Sequence, residues 1–273
     1  MKSFFSMPTI PSFLLTLVAL YGVIAIFAWF WADKVIFPAP RSSYGPGLPN
    51  VWLKLPDHTR IAALDLKPEE EKANGWTVLY SHGNGEDLGS IYSHLVEWRN
   101  QGFRVMAYDY PGYGHSEGRP GEAIVFTTAE AAYDYLIHDQ KVDPDRLLIY
   151  GRSLGSGPSW HLASTRRAAA LAVEGGFTST FRVITRVRVL PWDKFNNLAK
   201  VDAVDMPILI MHGKRDIVVP YSHGKAMLNA SGGRGEGFFL DEAGHNNFVA
   251  TAEEAYWDAI ASLLKRTHPQ RNH

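Results

Sequence analysis

Short apolar runs alternate with helical stretches along most of this chain. Apolar runs that predict buried strands occupy residues 76–80, 103–108, 146–150, 169–174, 208–212 and 238–241. Helical stretches follow most of these runs, at residues 86–100, 122–138, 155–166, 223–230 and 252–266. Strands that are apolar at nearly every position and are joined by helices form a mostly parallel sheet with helices on both faces. The sequence therefore predicts an α/β fold built on such a sheet.

The alternating region is predicted to be one domain, residues 51–266. It opens with two apolar runs around a turn at residues 56–59, which predict an antiparallel hairpin. Residues 177–205 break the alternation and are too long for an ordinary connection, so we expect them to form a small cap over the sheet edge. The Pro-, Gly- and Ser-rich residues 36–50 are predicted to be a linker, and residues 267–273 a tail.

An uncharged apolar segment precedes the predicted domain, at residues 13–32. A helix of about 20 residues is about 30 Å long, which is the thickness of the hydrocarbon core of a bilayer. A cleaved signal peptide would have small residues where this segment has Ala-Trp-Phe-Trp, and few core helices are apolar on every face. We therefore favour a single-pass N-terminal membrane anchor at residues 1–35. Its sidedness stays open, because Lys2 lies on one side of the segment and Lys34 and Arg41 on the other.

Charge and cysteine content exclude several classes of function. The net charge is −1 and no basic cluster forms one face, which argues against nucleic acid as a partner. The chain has no cysteine, so disulfides, thiolate metal sites and a cysteine nucleophile are excluded. There is no H-E-x-x-H spacing and no G-x-G-x-x-G after a predicted strand, so no metal or other cofactor is expected.

The pentapeptide Gly151-Arg152-Ser153-Leu154-Gly155 lies between a predicted strand and a predicted helix. Strand, G-x-S-x-G and helix in this order are typical of a nucleophile elbow, a strained turn that exposes the serine Oγ. The two glycines remove side chains that would collide with neighbouring elements. We therefore expect Ser153 to be a nucleophile.

A base and an acid for this serine follow it in the chain. A serine hydroxyl needs an adjacent base at neutral pH, and imidazole is suited to that task. His245 follows the last predicted strand and Asp216 follows the one before it, which gives the order Ser, Asp, His. Glu174 also ends a predicted strand and is a rival for the role of the acid, although we favour Asp216.

A fourth strand-end loop, Ser81-His82-Gly83-Asn84-Gly85, follows the first core strand. A tetrahedral intermediate needs two N–H donors aimed at its oxygen. We expect the backbone N–H groups of Leu154, directly after the nucleophile, and of Asn84 to form this oxyanion hole.

These segments resemble the motifs of the α/β-hydrolase family in order and spacing. Within the family they are similar to a small-cap branch that includes membrane-associated acyl-protein thioesterases (depalmitoylases) and bacterial hydrolases of unassigned substrate. The motifs are HGNGEDLGS, YDYPGYGHSEG, GRSLGSG, HGKRDIVVPYSHG and EAGHNNF, and the resemblance covers about residues 51–265. It implies the α/β-hydrolase fold, with Ser153, Asp216 and His245 as catalytic residues and Leu154 and Asn84 lining the oxyanion hole. Those depalmitoylases attach through acylated N-terminal cysteines, whereas this chain has an apolar segment and no cysteine.

The sequence thus predicts a membrane-anchored serine hydrolase that cleaves a carboxylic ester or thioester of a lipid or an acylated protein. Apolar residues of the predicted cap are candidate contacts for an acyl group: Phe181, Val183, Ile184, Val187, Leu190 and Trp192. Two alternatives stay open. A serine peptidase would use the same three side chains, and a membrane-tethered binding module would use the scaffold without catalysis.

Overall fold

An eight-stranded sheet forms the centre of the protein, in a computed structural model that describes residues 10–267 and the side chains of 12–267. Residues 1–9 of the predicted anchor, and the predicted tail apart from Thr267, lie outside the described residues. The strands are β1 (Val51–Lys54), β2 (Arg60–Leu66), β3 (Thr77–Ser81), β4 (Arg104–Tyr108), β5 (Leu147–Arg152), β6 (Ala170–Glu174), β7 (Ile208–Gly213) and β8 (Gly235–Leu240).

Strand pairing confirms the predicted fold class. β1 and β2 form the antiparallel hairpin, and β2 also pairs antiparallel with β4. All other neighbours are parallel, in the order β1-β2-β4-β3-β5-β6-β7-β8. β3 and β6 are buried at every position, which is why residues 78–80 and 170–173 are apolar without alternation.

Helices cover both faces of the sheet. In the described part of the chain they are α1 (Ile10–Ile36), α2 (Tyr92–Asn100), α3 (Glu122–Asp134), α4 (Ser156–Thr165), α5 (Thr180–Thr185), α6 (Tyr221–Ser231), α7 (Phe248–Ala252) and α8 (Glu254–Arg266). α3, α4 and α6 pack on one face, and α2, α7 and α8 on the other. Successive strand residues face opposite sides of the sheet. Leu79 packs on the side covered by α3, α4 and α6, and Tyr80 on the side covered by α2, α7 and α8.

Some predicted boundaries are wrong. α2 begins at Tyr92 rather than at residue 86, because Asp87 and Ser90 bond to each other in a turn that precedes it. β8 begins at Gly235, three residues earlier than predicted, since its two glycines carry no apolar pattern. The last predicted helix is interrupted at Glu253, which has a left-handed φ of 51° and separates α7 from α8.

Helix α1 precedes the sheet, and its final turn leads into it. Ser12–Ile36 contains an 18-residue window with a mean hydropathy of 2.4, and the segment is long and apolar enough for a membrane anchor or a signal sequence. The carboxyl end of α1 packs against the rest of the protein, where Ala32 and Phe37 are buried. The predicted cap contains α5 and a 3-10 turn at Leu198–Ala203.

Candidate active site

The turn between β5 and α4 holds Ser153 in a strained conformation. Its φ is +51°, a left-handed value that a residue with a side chain rarely adopts. Tight packing imposes the turn. A Cβ on Gly155 would lie 1.9 Å from the carbonyl oxygen of Ser81, and one on Gly151 would lie 2.5 Å from Ser159 Oγ. Only glycine fits at either position, so the turn has the geometry of a nucleophile elbow.

Ser153, His245 and Asp216 form a continuous chain of hydrogen bonds. Ser153 Oγ lies 2.9 Å from His245 Nε2, and His245 Nδ1 lies 2.6 Å from Asp216 Oδ2. The three residues come from loops at the carboxyl ends of β5, β8 and β7, which meet at one edge of the sheet. Ligands and reacting groups collect at this edge in open α/β sheets.

The surroundings of Asp216 favour its charged form. Burial by itself would raise its pKa, but hydrogen bonds to His212 and His245 outweigh burial and hold the pKa of Asp216 well below its ordinary value. Its other oxygen, Oδ1, accepts the backbone N–H groups of Val218 and Val219 at 2.9 and 2.8 Å. Asp216 is therefore an oriented carboxylate that can accept the Nδ1–H of His245 and stabilise a positive imidazole.

Glu174, the rival acid, has different partners. It is 3% exposed at the end of β6, where it accepts a hydrogen bond from the hydroxyl of Tyr150 and faces Arg152 Nε at 3.3 Å. Within residues 12–267 it makes no hydrogen bond to His245. The next residue, Gly175, has a φ of +57°, and a Cβ there would lie 3.1 Å from His245 Cε1. β6 thus supplies space for the imidazole rather than an acid.

Asn84 and Leu154 line the same small cavity as Ser153, with a volume of about 150 Å³. The loop that carries Asn84 is held on two sides: Gly83 N–H donates to Glu86 Oε2 at 2.6 Å, and the hydroxyl of Tyr113 donates to the carbonyl of Asn84 at 2.9 Å. Leu154 is at the start of a helical turn, where backbone N–H groups have no partner within the helix. The backbone N–H groups of Leu154 and Asn84 are therefore the candidate donors to an oxygen atom beside Ser153.

Arg152 was missed by the reasoning from sequence. It is 15% exposed in its side chain and forms ion pairs with Glu86 and Glu174, and its Nη2 donates to Asn246 Oδ1 at 3.0 Å and to the carbonyl of His245 at 3.3 Å. Burial by itself would lower the pKa of Arg152, but Glu86 and Glu174 raise it above its ordinary value. The guanidinium therefore ties the loops of Asn84 and His245 to the elbow. The signal was present in the sequence, since Arg occupies the first variable position of G-x-S-x-G.

Metal-binding geometry is absent from this edge and from the rest of residues 12–267, where no group of three or more His, Asp or Glu side chains is arranged to hold an ion. The chemistry available at the site is that of side chains and backbone amides: a hydroxyl with a base, an ionised carboxylate behind the base, and N–H donors beside the hydroxyl.

Comparisons with known proteins show which family this chain resembles. Residues 77–186 match the profile of a family described as alpha/beta hydrolase fold. The chain is 35% identical over 198 residues to alpha/beta hydrolase domain-containing protein 17C of Xenopus tropicalis, a match that covers 71% of this chain and 63% of that protein. It is 34% identical over 175 residues to protein 17B of Homo sapiens, covering 63% and 61%. The chain thus spans somewhat less than two thirds of the length of these relatives.

Solved structures share the fold at low sequence identity. An esterase of Pyrococcus furiosus superposes with a TM-score of 0.66 and 16% identity, covering 84% of this chain and 98% of the esterase. An enol-lactonase of Burkholderia xenovorans gives a TM-score of 0.60 and 17% identity, covering 79% and 100%.

Proposed function

Because this chain belongs to the α/β-hydrolase superfamily, we propose that it is a membrane-anchored serine hydrolase that cleaves a carboxylic ester or thioester. The observation that carries the proposal is the chain of hydrogen bonds from Ser153 Oγ through His245 to Asp216, at 2.9 and 2.6 Å. Nucleophile, base and acid within hydrogen-bond reach of one another are the signature of nucleophilic catalysis. The esterase and lactonase likenesses are in keeping with such chemistry.

In the first half-reaction Ser153 Oγ attacks the carbonyl carbon of the substrate, and its proton passes to His245 Nε2. The negative charge on the carbonyl oxygen is stabilised by the N–H groups of Leu154 and Asn84. Donors of this kind each contribute about 10²–10³ in rate. The tetrahedral intermediate collapses, and His245 gives its proton to the departing alcohol or thiol. An acyl group remains on Ser153.

In the second half-reaction His245 takes a proton from water, and the hydroxide formed attacks the acyl carbon. Collapse of the new tetrahedral intermediate releases the carboxylic acid and returns the proton to Ser153 Oγ. Asp216 stays ionised throughout and stabilises the imidazolium, which its depressed pKa supports.

The membrane part of the proposal rests on α1. Its side chains from Phe13 to Phe30 are largely exposed and apolar, for example Leu15 at 70% and Val18 at 68% exposed. An exposed apolar helix of this length is stable in hydrocarbon and costly in water. The anchor would keep the enzyme at a bilayer, where esters with long acyl chains are concentrated.

Hydrolysis of p-nitrophenyl butyrate by the purified full-length chain in detergent tests the proposal. We expect kcat to fall by at least about 10⁴-fold in the Ser153→Ala variant. A Ser164→Ala variant, altered near the far end of α4, should have the kcat of the parent. Equal rates for Ser153→Ala and the parent would overturn the proposal.

A further inference from the structure

We infer that helix α1 is also one wall of the substrate site, and that an acyl chain lies in the groove between α1 and the cap with its carbonyl at Ser153. The inference rests on the proposed function and names its substrate class: esters or thioesters of long-chain acyl groups. It goes beyond the cap residues considered from sequence, because it gives the membrane helix a direct part in binding.

The groove is a cavity between α1 and the cap. Its volume is about 250 Å³, and one wall is the α1 face that carries Ile24, Phe27 and Ala28. The opposite wall is the cap, with Ile184 and Val187 among its members. These cap side chains are 75% and 62% exposed, so the groove is bordered by apolar surface that no part of residues 12–267 covers.

Three specific contacts fix α1 against the cap. The hydroxyl of Tyr21 donates to the carbonyl of Val189 at 3.2 Å, and the rings of Trp29 and Trp192 meet edge to face at 5.5 Å between centroids. Lys194 Nζ forms an ion pair with Asp33 at 2.5 Å. The groove therefore persists as a feature of the fold, with a polar clamp at the end of α1 nearest the sheet.

The groove adjoins the cavity at Ser153. Four residues line both: Val35, Ile36, Thr180 and Ile184. Neither space alone reaches the about 300 Å³ at which small-molecule sites begin, whereas the two joined do. A ligand with its reactive carbon at Ser153 is thus directed into the groove.

The lining chemistry selects an apolar occupant. The polar side chains of the groove are already paired: Arg182 with Asp193 at 3.2 Å, and Thr180 Oγ1 with the carbonyl of Lys194 at 2.8 Å. Arg188 donates to the carbonyls of Leu190 and Pro191. What remains facing the space is aliphatic and aromatic, so a polar ligand would lose hydrogen bonds to water and gain none.

The length of the groove matches a lipid chain. From Ile24 to Ile36 a helix rises about 18 Å, and the chains of one leaflet span about half of a hydrocarbon core of about 30 Å. Because the groove runs along α1, it lies parallel to the chains of the leaflet that α1 crosses. An acyl chain can therefore pass sideways from the bilayer into the groove without entering water.

A chain-length comparison tests the inference. Ala28→Trp fills the groove from the α1 side and leaves the residues around Ser153 unchanged. We expect its kcat/KM to fall at least about tenfold for p-nitrophenyl palmitate, since several methylene contacts are lost, and to stay at the parental value for p-nitrophenyl butyrate. Ala19→Trp, the same change on α1 outside the groove, should alter neither. Val187→Trp repeats the block from the cap side, at a residue that lines the groove but not the cavity at Ser153.

Parental palmitate rates in both Ala28→Trp and Val187→Trp would overturn the inference while leaving the proposed function intact. Absence of butyrate and palmitate hydrolysis by the parent would overturn both. If a variant also loses butyrate hydrolysis, its folding is affected and a second measurement is needed. In that measurement the parent is reacted with a long-chain fluorophosphonate that carries a terminal diazirine, and the adduct is photolysed. Crosslinks to α1 and residues 181–192 are expected, and crosslinks confined to other segments would contradict the inference.

Discussion

Arg152 occupies the position beside the nucleophile and bonds to groups from three other loops. Its partners are Glu86, Glu174, Asn246 and the carbonyl of His245. Through Glu86, which accepts the N–H of Gly83 at 2.6 Å, the guanidinium also acts on the loop of Asn84. Arg152 makes no hydrogen bond to Ser153 in the described residues, so we propose that it positions the candidate base, His245, and the loop of Asn84.

Arg152→Met is therefore expected to lower kcat for p-nitrophenyl butyrate by about 10²-fold with little change in KM, because a misplacement of about 1 Å in a reacting group has that cost. Arg152→Lys should recover only part of the rate, since a point charge cannot reproduce the planar fork. Arg167→Met, which breaks an exposed ion pair with Asp145, is the matched control. A lowered Tm with an unchanged kcat would show that Arg152 serves stability alone.

His223 makes the protein sensitive to acid. Its ring is 6% exposed, and its Nδ1 accepts hydrogen bonds from the backbone N–H of Thr178 at 3.2 Å and from the hydroxyl of Thr178 at 2.9 Å. Burial, reinforced by positive charge from His212, Arg186 and Arg182, lowers the pKa of His223 to about 4. Between about pH 6.5 and 4 the His223 ring therefore binds a proton in the unfolded chain but stays neutral in the folded protein.

The free energy of unfolding should consequently fall as the pH is lowered from 6.5 to 4, by an amount on the order of 1–2 kcal/mol from this residue once solvent near the ring is allowed for. Urea unfolding across this range checks the slope. The free energy of unfolding of His223→Gln should depend less on pH than that of the parent. His138→Gln, altered at an exposed position, should show the same pH dependence as the parent. Parallel slopes for His223→Gln and the parent would contradict the assignment.

At the scale of elements, the β5–α4 elbow depends on contact between backbones. Gly155 lies so close to β3 that a Cβ would overlap the carbonyl oxygen of Ser81, at 1.9 Å. Ser81 itself ends β3 and begins the loop of Asn84. The elbow and the loop of Asn84 are therefore packed against each other directly, without side chains between them.

Gly155→Ala should destabilise the protein by about 3 kcal/mol, since backbone cannot move as a side chain tip can, and should reduce ester hydrolysis in the fraction that folds. Gly233→Ala is the control, because a Cβ there meets no atom within 4 Å. Thermal unfolding of the two variants measures the difference. Similar Tm values would mean that β3 and α4 adjust without cost.

Much of the fold was predictable, because continuous apolar runs such as those of β3 and β6 carry the signal of a parallel sheet in each strand separately. The positions of Ser153, Asp216 and His245 after β5, β7 and β8 were predictable for the same reason. The ion pairs of Arg152 were not, since they join residues far apart in sequence. The packing of α1 against the cap was not predictable either, because a helix that is apolar on every face has no pattern that indicates which surface it contacts.

The whole molecule places its candidate active site beside its apolar helix. α1 ends at Ile36, whose carbonyl accepts a hydrogen bond from Asn84 Nδ2 at 3.3 Å, so the end of the helix contacts the loop of Asn84. The exposed side chains of Ile184, Val187 and Ile217 add apolar surface near the same edge. This arrangement directs the site towards the bilayer if α1 is retained as an anchor.

Two charges in α1 test the anchor. Leu17→Arg with Leu20→Arg should release the full-length protein from carbonate-washed membranes, since each arginine costs about 2.5–3.5 kcal/mol at the centre of a membrane helix. The parent and Leu17→Phe with Leu20→Phe should stay in the membrane pellet. A soluble parent that has lost its first residues would instead identify α1 as a cleaved signal sequence.

The proposed function requires Ser153 to be a nucleophile that His245 activates. Labelling of the full-length protein with a fluorophosphonate, followed by peptide mass spectrometry, tests it most directly. We expect one adduct, on Ser153, with labelling at least about 10²-fold slower in His245→Ala because the serine then lacks its base. No adduct on the parent, or an adduct on another residue with Ser153 unmodified, would contradict it.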